Sequence, residues 1–382
     1  MTPVELSRTV LHAVRRAVDQ GELTAVVPTR AVVTPPGPGG WGDYATNIAL
    51  QLARSAGQPP LRVAEVLRTY ISGTEGIRGV EITGPGFLNI ALEGAAAVDV
   101  VQRILRGGDR YGHSDALAGQ VVRLHAPQEV RALVVLDASA RILRTQGALV
   151  RTSCGARPEP EWEAVLGVHV DACGTDACGT DASPGRRAGN AVHVDTYGTD
   201  TPPGESAPVV IRPTASPADP APLGRDAARW ALLHPAAHDR PRINPGHLVQ
   251  RESNPLFRVR YAHARTRALV RNAADLGFSA EPGHLGGAGA FPTLPTLPTL
   301  VTLLADHPRI LAAAATQHAP DRLARHLVSV ADAVLPLLHS VLPRGAEKPS
   351  AAHRARLALA EAAGTVLAGG LSLLGVDAPE HL

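Results

Sequence analysis

The sequence predicts a multidomain protein of the α/β plus α class, and three observations carry that prediction. Helix-type and strand-type hydrophobic patterns alternate over residues 1–112. A strand, helix, strand order follows from Gln120. Beyond residue 251 only helical patterns remain. The layout expected is an N-terminal α+β module over 1–112, a reduced α/β middle over 113–250 and an all-α helical bundle over 251–382. In a chain of 382 residues, 45% hydrophobic residues supply enough apolar surface for several cores.

In the first module a helix is expected over 3–20, because Leu6, Val10, Val14 and Val18 recur every fourth residue. Val26–Val33 is apolar and strand-like, closed by the Pro/Gly stretch 34–40. Helices are expected over Tyr44–Ala56 and Arg62–Ile71, then strands over Val80–Thr83 and Phe87–Leu92 across the Gly84-Pro85-Gly86 turn, then a helix over Ala95–Leu105. In the middle, Gln120–His125 and Ala148–Thr152 are strand-like on either side of a helix over Gln128–Thr145, the order of a parallel sheet. A loop-rich, disordered insertion is expected near 159–222, where Gly, Pro, Asp, Thr and Ser dominate; a helix over Gly224–Leu233 closes it. The last third predicts helices over Pro255–Leu276, Leu300–Ala305, Pro308–His318, Pro320–Leu342 and Ala351–Leu374. Between the first two, Pro-Thr-Leu repeats three times, so Gly283–Leu300 reads as an extended linker.

Composition narrows the chemistry. There is a single lysine, Lys348, among 37 basic residues, so no reaction that needs a lysine side chain before it is possible. The net charge of +2 demands neither nucleic acid nor membrane globally, but residues 251–382 carry 13 basic against 10 acidic residues. No apolar run reaches the roughly 20 residues of a membrane helix and no signal-peptide pattern opens the chain, so a cytoplasmic protein without a membrane partner is expected. Three cysteines argue against a disulfide framework. Ala-Cys-Gly-Thr-Asp occurs in tandem at 172–176 and 177–181. The His169, Cys173 and Cys178 spacing is a by-product of that duplication and no fourth ligand is evident, so no metal site is expected. His234 and His238 are separated by Pro235, which interrupts the helix that a metal site would use.

Three stretches carry a resemblance. Gly42-Asp43-Tyr44-Ala45-Thr46-Asn47, with Gly84-Pro85-Gly86-Phe87-Leu88-Asn89, resembles the N-terminal additional domain of arginyl-tRNA synthetases. Here Asp43 is expected to cap the helix from Tyr44, and the glycines allow a tight turn. Asn254-Pro255-Leu256-Phe257-Arg258-Val259-Arg260-Tyr261-Ala262-His263-Ala264-Arg265 resembles the helix that opens the anticodon-binding (DALR) domain of the same family, with Arg260 where glutamine is usual. Arg354–Leu359 and Leu371–Glu380 resemble that domain's last helix and tail. The resemblance covers roughly 3–112 and 224–382, and implies a Rossmann-like α/β fold for the middle.

What the resemblance implies is tRNA as partner, the arginine-accepting tRNA being the first candidate. The expected contacts are Phe87, Asn89, Arg258, Arg260, Tyr261, His263, Arg265 and Arg267: arginines suit phosphates and a tyrosine face suits an unstacked base. The family also implies ATP, held by a His-x-Gly-His turn and a Lys-Met-Ser-Lys loop that stabilise phosphate charge. Arg131–Gly147 resembles the helix after the histidine turn, but the tetrad falls on Ala126-Pro127-Gln128-Glu129, and the single lysine rules out the second motif. The expectation is therefore tRNA binding without catalytic residues or cofactor, in a monomer. A protein-interaction scaffold and an active arginine–tRNA ligase are the alternatives.

Overall fold

The computed structural model describes residues 3–34, 36, 41–92, 94–174, 207–283 and 296–382. The tandem repeat's second copy, with Cys178, and the start of the Pro-Thr-Leu stretch, 292–295, lie outside the described residues.

The N-terminal module opens with α1 (Pro3–Asp19), whose Leu6, Val10 and Val14 are completely buried. Its sheet has order β1 (Val33–Thr34), β2 (Tyr44–Thr46), β4 (Phe87–Leu92), β3 (Ile77–Thr83), antiparallel throughout. Helices α2 (Ile48–Ala56), α3 (Pro60–Ser72) and α4 (Gly94–Gly107) complete it. Two expectations are corrected. Val26–Val33 contributes only Val33 to a strand, because Pro28 has no N–H for a ladder and Val26 stands in solvent. The helix expected from Tyr44 starts at Ile48: Tyr44, Ala45 and Thr46 pair with Ile90, Asn89 and Leu88 instead. Asp43 is not a helix cap. Its N–H donates to Ile90 O and its carboxylate accepts from Leu92 N at 2.7 Å, pinning the start of β2 to the end of β4. Gly42 has φ +88°, and a Cβ there would lie 2.7 Å from Ile90 O.

The middle is a parallel sheet of order β7 (Ala172–Cys173), β6 (Leu149–Cys154), β5 (Val121–Ala126), β8 (Val209–Val210). The crossover helix α5 (Val130–Thr145) joins β5 to β6 and is buried over most of its length, as the β-α-β reading expects. Helices α6 (Pro160–Leu166) and α7 (Gly224–Leu233) pack on the same side. The loop-rich insertion expected near 159–222 is thus corrected at both ends, where α6, β7, β8 and the buried Ile211 are ordered. Two-residue strands are too short to announce themselves by alternation.

The C-terminal bundle holds α8 (Pro255–Asp275), α9 (Thr296–Gln317), α10 (Pro320–Val334) and α11 (Ala351–Leu374). Pro308 sits inside α9, so the two short helices expected there are one; the expected linker ends at Thr296, and Leu335–Ser340 tightens into a 3-10 turn after α10. Helix α11 begins at a Ser350–His353 capping box and ends at Gly375 in the left-handed conformation. It is long and apolar enough to cross a membrane, contrary to the sequence reading, but two thirds of its apolar window is buried, against α8 and α10 among others. Gly364 and Gly370 let α8 and α10 approach closely: a Cβ would meet Thr266 Oγ1 at 2.3 Å and Leu327 at 2.5 Å.

Two buried arginines lock the middle in place. The Arg131 guanidinium donates to five carbonyls, those of Leu232, Thr214, Asp239, Pro235 and Ala236, at 2.6–3.1 Å. Arg229 is 0% exposed and joins three elements: Nη2 meets Asp137 Oδ2 at 2.6 Å on α5, Nη1 donates to Leu166 O on α6, and Nε donates to Leu374 O on α11. The N-terminal module meets the bundle where Tyr44 and Tyr111 donate to Thr302 O and Leu304 O of α9.

Candidate nucleic-acid interface

Helix α8 carries most of the predicted contacts, and its start explains why. Asn254 caps it by accepting from Leu256 N at 3.1 Å while its own amide donates to His247 O and Val249 O. Pro255 follows at the first helical position, where its missing N–H costs nothing. Val259, Ala262, Thr266, Leu269 and Ala273 then bury one face against α10 and α11. That leaves Phe257, Tyr261 and Arg265, at fourth-residue spacing, along the outer face. Phe257 and Tyr261 stack with centroids 5.5 Å apart, and Tyr261 is 38% exposed.

The arginines fall into two classes that the sequence does not distinguish. Four are tethered by carboxylates: Arg258 by Asp332 at 3.2 Å, Arg260 by Asp226 at 3.3 Å, Arg267 by Glu380 at 3.0 Å and Arg271 by the same Glu380 at 3.7 Å. Arg265 is exposed and has no ion-pair partner among the described residues. It is the most exposed arginine of α8. The Nε atoms of Arg258 and Arg260 are buried without acceptors, so these two side chains are only partly satisfied by their carboxylates. The partners Asp226, Asp332 and Glu380 were not legible in the sequence, since 34 to 113 residues separate each from its arginine.

Two predicted contacts are buried, contrary to what a ligand-facing role expects. Asn89 is 2% exposed and its amide donates to Thr83 Oγ1 at 2.6 Å across the hairpin, so it supports the turn. His263 is 4% exposed; its Nδ1 donates to Pro379 O at 3.0 Å and fastens the C-terminal tail to α8. Burial pushes its imidazole below the ordinary value. Phe87 stands 41% exposed at the hairpin tip. Beside the start of α8 lies a cleft of about 300 Å³ lined by Arg225, Asp226, His247, Gln250, Arg260 and Leu382, among others.

The second place where chemistry could reside is the carboxyl end of the parallel sheet, where β5 turns into α5. Helix N-termini attract anions because their first N–H groups lack partners. Here Glu129 answers them: one carboxylate oxygen accepts from Ala132 N at 2.8 Å and the other from Ser216 N at 2.9 Å. His125, just upstream, has its Nδ1 3.0 Å from Ser153 Oγ. Among the described residues no group of three or more His, Cys, Asp or Glu is placed to hold a metal.

Comparison with known proteins matches residues 5–92 to the arginyl tRNA synthetase N terminal domain and residues 259–382 to the DALR anticodon binding domain. Both ends of the chain are thus similar to domains of arginyl-tRNA synthetases. Curated relatives of the family named "Arginine--tRNA ligase" include one from Renibacterium salmoninarum, 43% identical over 166 residues, and one from Frankia alni, 40% identical over 151. These matches cover 39% and 40% of this chain but 30% and 27% of the relatives, so it spans less than a third of their length. The fold is that of the synthetases. Against Thermus thermophilus arginyl-tRNA synthetase the TM-score is 0.65 at 15% identity, and against the Plasmodium falciparum enzyme 0.71 at 9%, each over all of this chain and 99% or more of the other. Within the synthetase frame, Ala126-Pro127-Gln128-Glu129 occupies the turn from β5 into α5.

Proposed function

We propose that this chain binds tRNA in the cytoplasm through its synthetase-like end modules and does not form an aminoacyl adenylate. The observation that carries the second half is Glu129. In the synthetase pattern the turn before this helix is His-x-Gly-His and serves ATP phosphates; here a carboxylate fills the helix start and is itself held by Ala132 N–H and Ser216 N–H. An arriving phosphate would have to displace that carboxylate and then lie beside it, an electrostatic cost on the order of several kcal/mol at short range in a partly dry site. Neither histidine of the turn is present, and no lysine precedes Lys348 to stabilise the transferred charge.

For tRNA, the support is the outer face of α8. Arg265 offers an open guanidinium beside the stacked Phe257–Tyr261 pair. Phosphate contacts of this kind make affinity fall steeply with salt. Filter binding with unfractionated tRNA tests the reading: retention is expected at low salt and loss on raising it. Retention no greater than that of a neutral control protein at low salt sinks the proposal.

The second reading is arginine–tRNA ligation, favoured by the names of the relatives. Arginine-dependent exchange of pyrophosphate into ATP separates the two. No exchange is expected; measurable exchange establishes the ligase reading and removes the argument from Glu129.

A further inference from the structure

We propose that Cys154 and Cys173 form a reversible disulfide site at the carboxyl end of the parallel sheet. The two cysteines end neighbouring strands and are direct register partners, Cys154 on β6 opposite Cys173 on β7. Register partners in a sheet project to the same side, and neighbouring strands run about 4.8 Å apart, inside the roughly 4.4–6.8 Å separation of Cα atoms that a disulfide spans. Both are thiols in the structure. The register is held on either side of the pair: Asp171 N donates to Thr152 O at 3.1 Å and Gly174 N donates to Cys154 O at 3.1 Å. The Asp171 carboxylate also accepts from Thr152 N and Oγ1, at 2.7 and 2.9 Å. Strand β7 is a two-residue edge, so the small approach that bonding requires moves one edge strand and no core element.

The exposures assign the order of events. Cys154 is buried and Cys173 half-buried, so an incoming disulfide reagent meets Cys173 first. The Cys173 thiolate attacks one sulfur of the reagent, forming a mixed disulfide and releasing one thiol. The Cys154 thiolate then attacks the Cys173 sulfur and releases the second. Two cysteine thiols are oxidised by two electrons, the reagent is reduced to two thiols, and the two cysteine protons pass to those thiols. Burial and the neighbouring Cys154 push the Cys173 thiol up, which slows the first step, so bond formation rests on proximity. The bond closes the chain around α6 and fixes the edge strand β7 against β6.

The tandem repeat supplies the rival, Cys178, which stands in the second copy where Cys173 stands in the first. The test uses the full chain, as wild type and with Cys178→Ser, treated with oxidised glutathione, quenched by alkylation and weighed intact. Expected for the Cys178→Ser chain is a mass about 2 Da below that of the reduced, unalkylated chain, with no alkyl or glutathione group added, and for the wild type the same bond with one added group on Cys178; reductant reverses both. Digestion after Glu159, Glu161 and Glu163, which separate the two cysteines, should yield one cross-linked pair holding Cys154 and Cys173. Cys173→Ser, a change at a half-buried edge, should keep the circular dichroism of the parent and leave Cys154 alkylatable after unfolding. Persistent glutathione on Cys173, a bond from Cys178 to either cysteine in the wild type, or an unbonded Cys154 in the treated Cys178→Ser chain overturns the proposal.

Discussion

Acid should loosen the junction between the N-terminal module and the helical bundle. Three rings stack there: Tyr111 on His307 at 5.9 Å and His307 on His326 at 5.3 Å, joining the end of the first module to α9 and α10. His307 Nδ1 and His326 Nε2 are buried with no acceptor or donor opposite them, so a proton taken up by either imidazole brings an unsolvated charge. Burial pushes His326 down to about 4; Asp306 opposes that shift and Arg309 adds to it. His307 is pushed well down by its complete burial, with His326 and His113 adding to it. Because the folded value of His326 lies below the ordinary 6.5, the unfolded chain binds more protons between the two, and stability falls as pH falls through that window. For His326 alone the loss is about 2 kcal/mol at about pH 5 and about 3 kcal/mol below the folded value. The assay is urea unfolding followed by tryptophan fluorescence, since Trp230 is buried, at about pH 7.5 and about pH 5. His326→Gln, which cannot take the proton, should flatten the pH dependence by about 2 kcal/mol whatever its own cost. An equal pH dependence in wild type and His326→Gln refutes the reasoning.

Other consequences follow from the same structure. Arg265→Ala should weaken tRNA retention about 10-fold and reduce the slope of log affinity against log salt by about 1. Arg267→Ala, whose charge Glu380 already answers, should do less than half of that in the same filter assay; equal losses would remove the distinction between open and tethered arginines. Arg229→Met should destabilise by about 3–5 kcal/mol in urea, since it strips Asp137 of its buried partner and leaves the carbonyls of Leu166 and Leu374 without a donor. Gly364→Ala should cost about 1–3 kcal/mol in the same unfolding measurement, because its Cβ would meet Thr266 Oγ1 at 2.3 Å across the α8–α11 contact.

Much of the secondary structure was legible where a long stretch keeps one hydrophobic period. α1, α5, α7, α8 and α11 match their expected spans to within a few residues, because a helix of several turns repeats its apolar face often enough to be read. Short elements were not. Tyr44–Thr46 looks like the first turn of a helix, and only pairing with Leu88–Ile90 makes it a strand. Pro308 reads as a break, yet the helix runs through it: the Tyr111 hydroxyl donates to Leu304 O, the carbonyl for which the proline supplies no N–H, and α9 packs against α10.

The sequence by itself determined the order of the modules, the likeness of both ends to arginyl-tRNA synthetases, the absence of a His-x-Gly-His tetrad from its 382 residues and the lack of any lysine before Lys348. These are matters of which residue stands where, and local spacing records them. Tertiary structure decided which of those residues are available. It buried Asn89 and His263, tethered Arg258, Arg260, Arg267 and Arg271 to carboxylates far away in the chain, left Arg265 open, and set Glu129 into the start of α5. Availability depends on partners brought together by folding, and a one-dimensional pattern holds no distance between residues 34 to 113 positions apart.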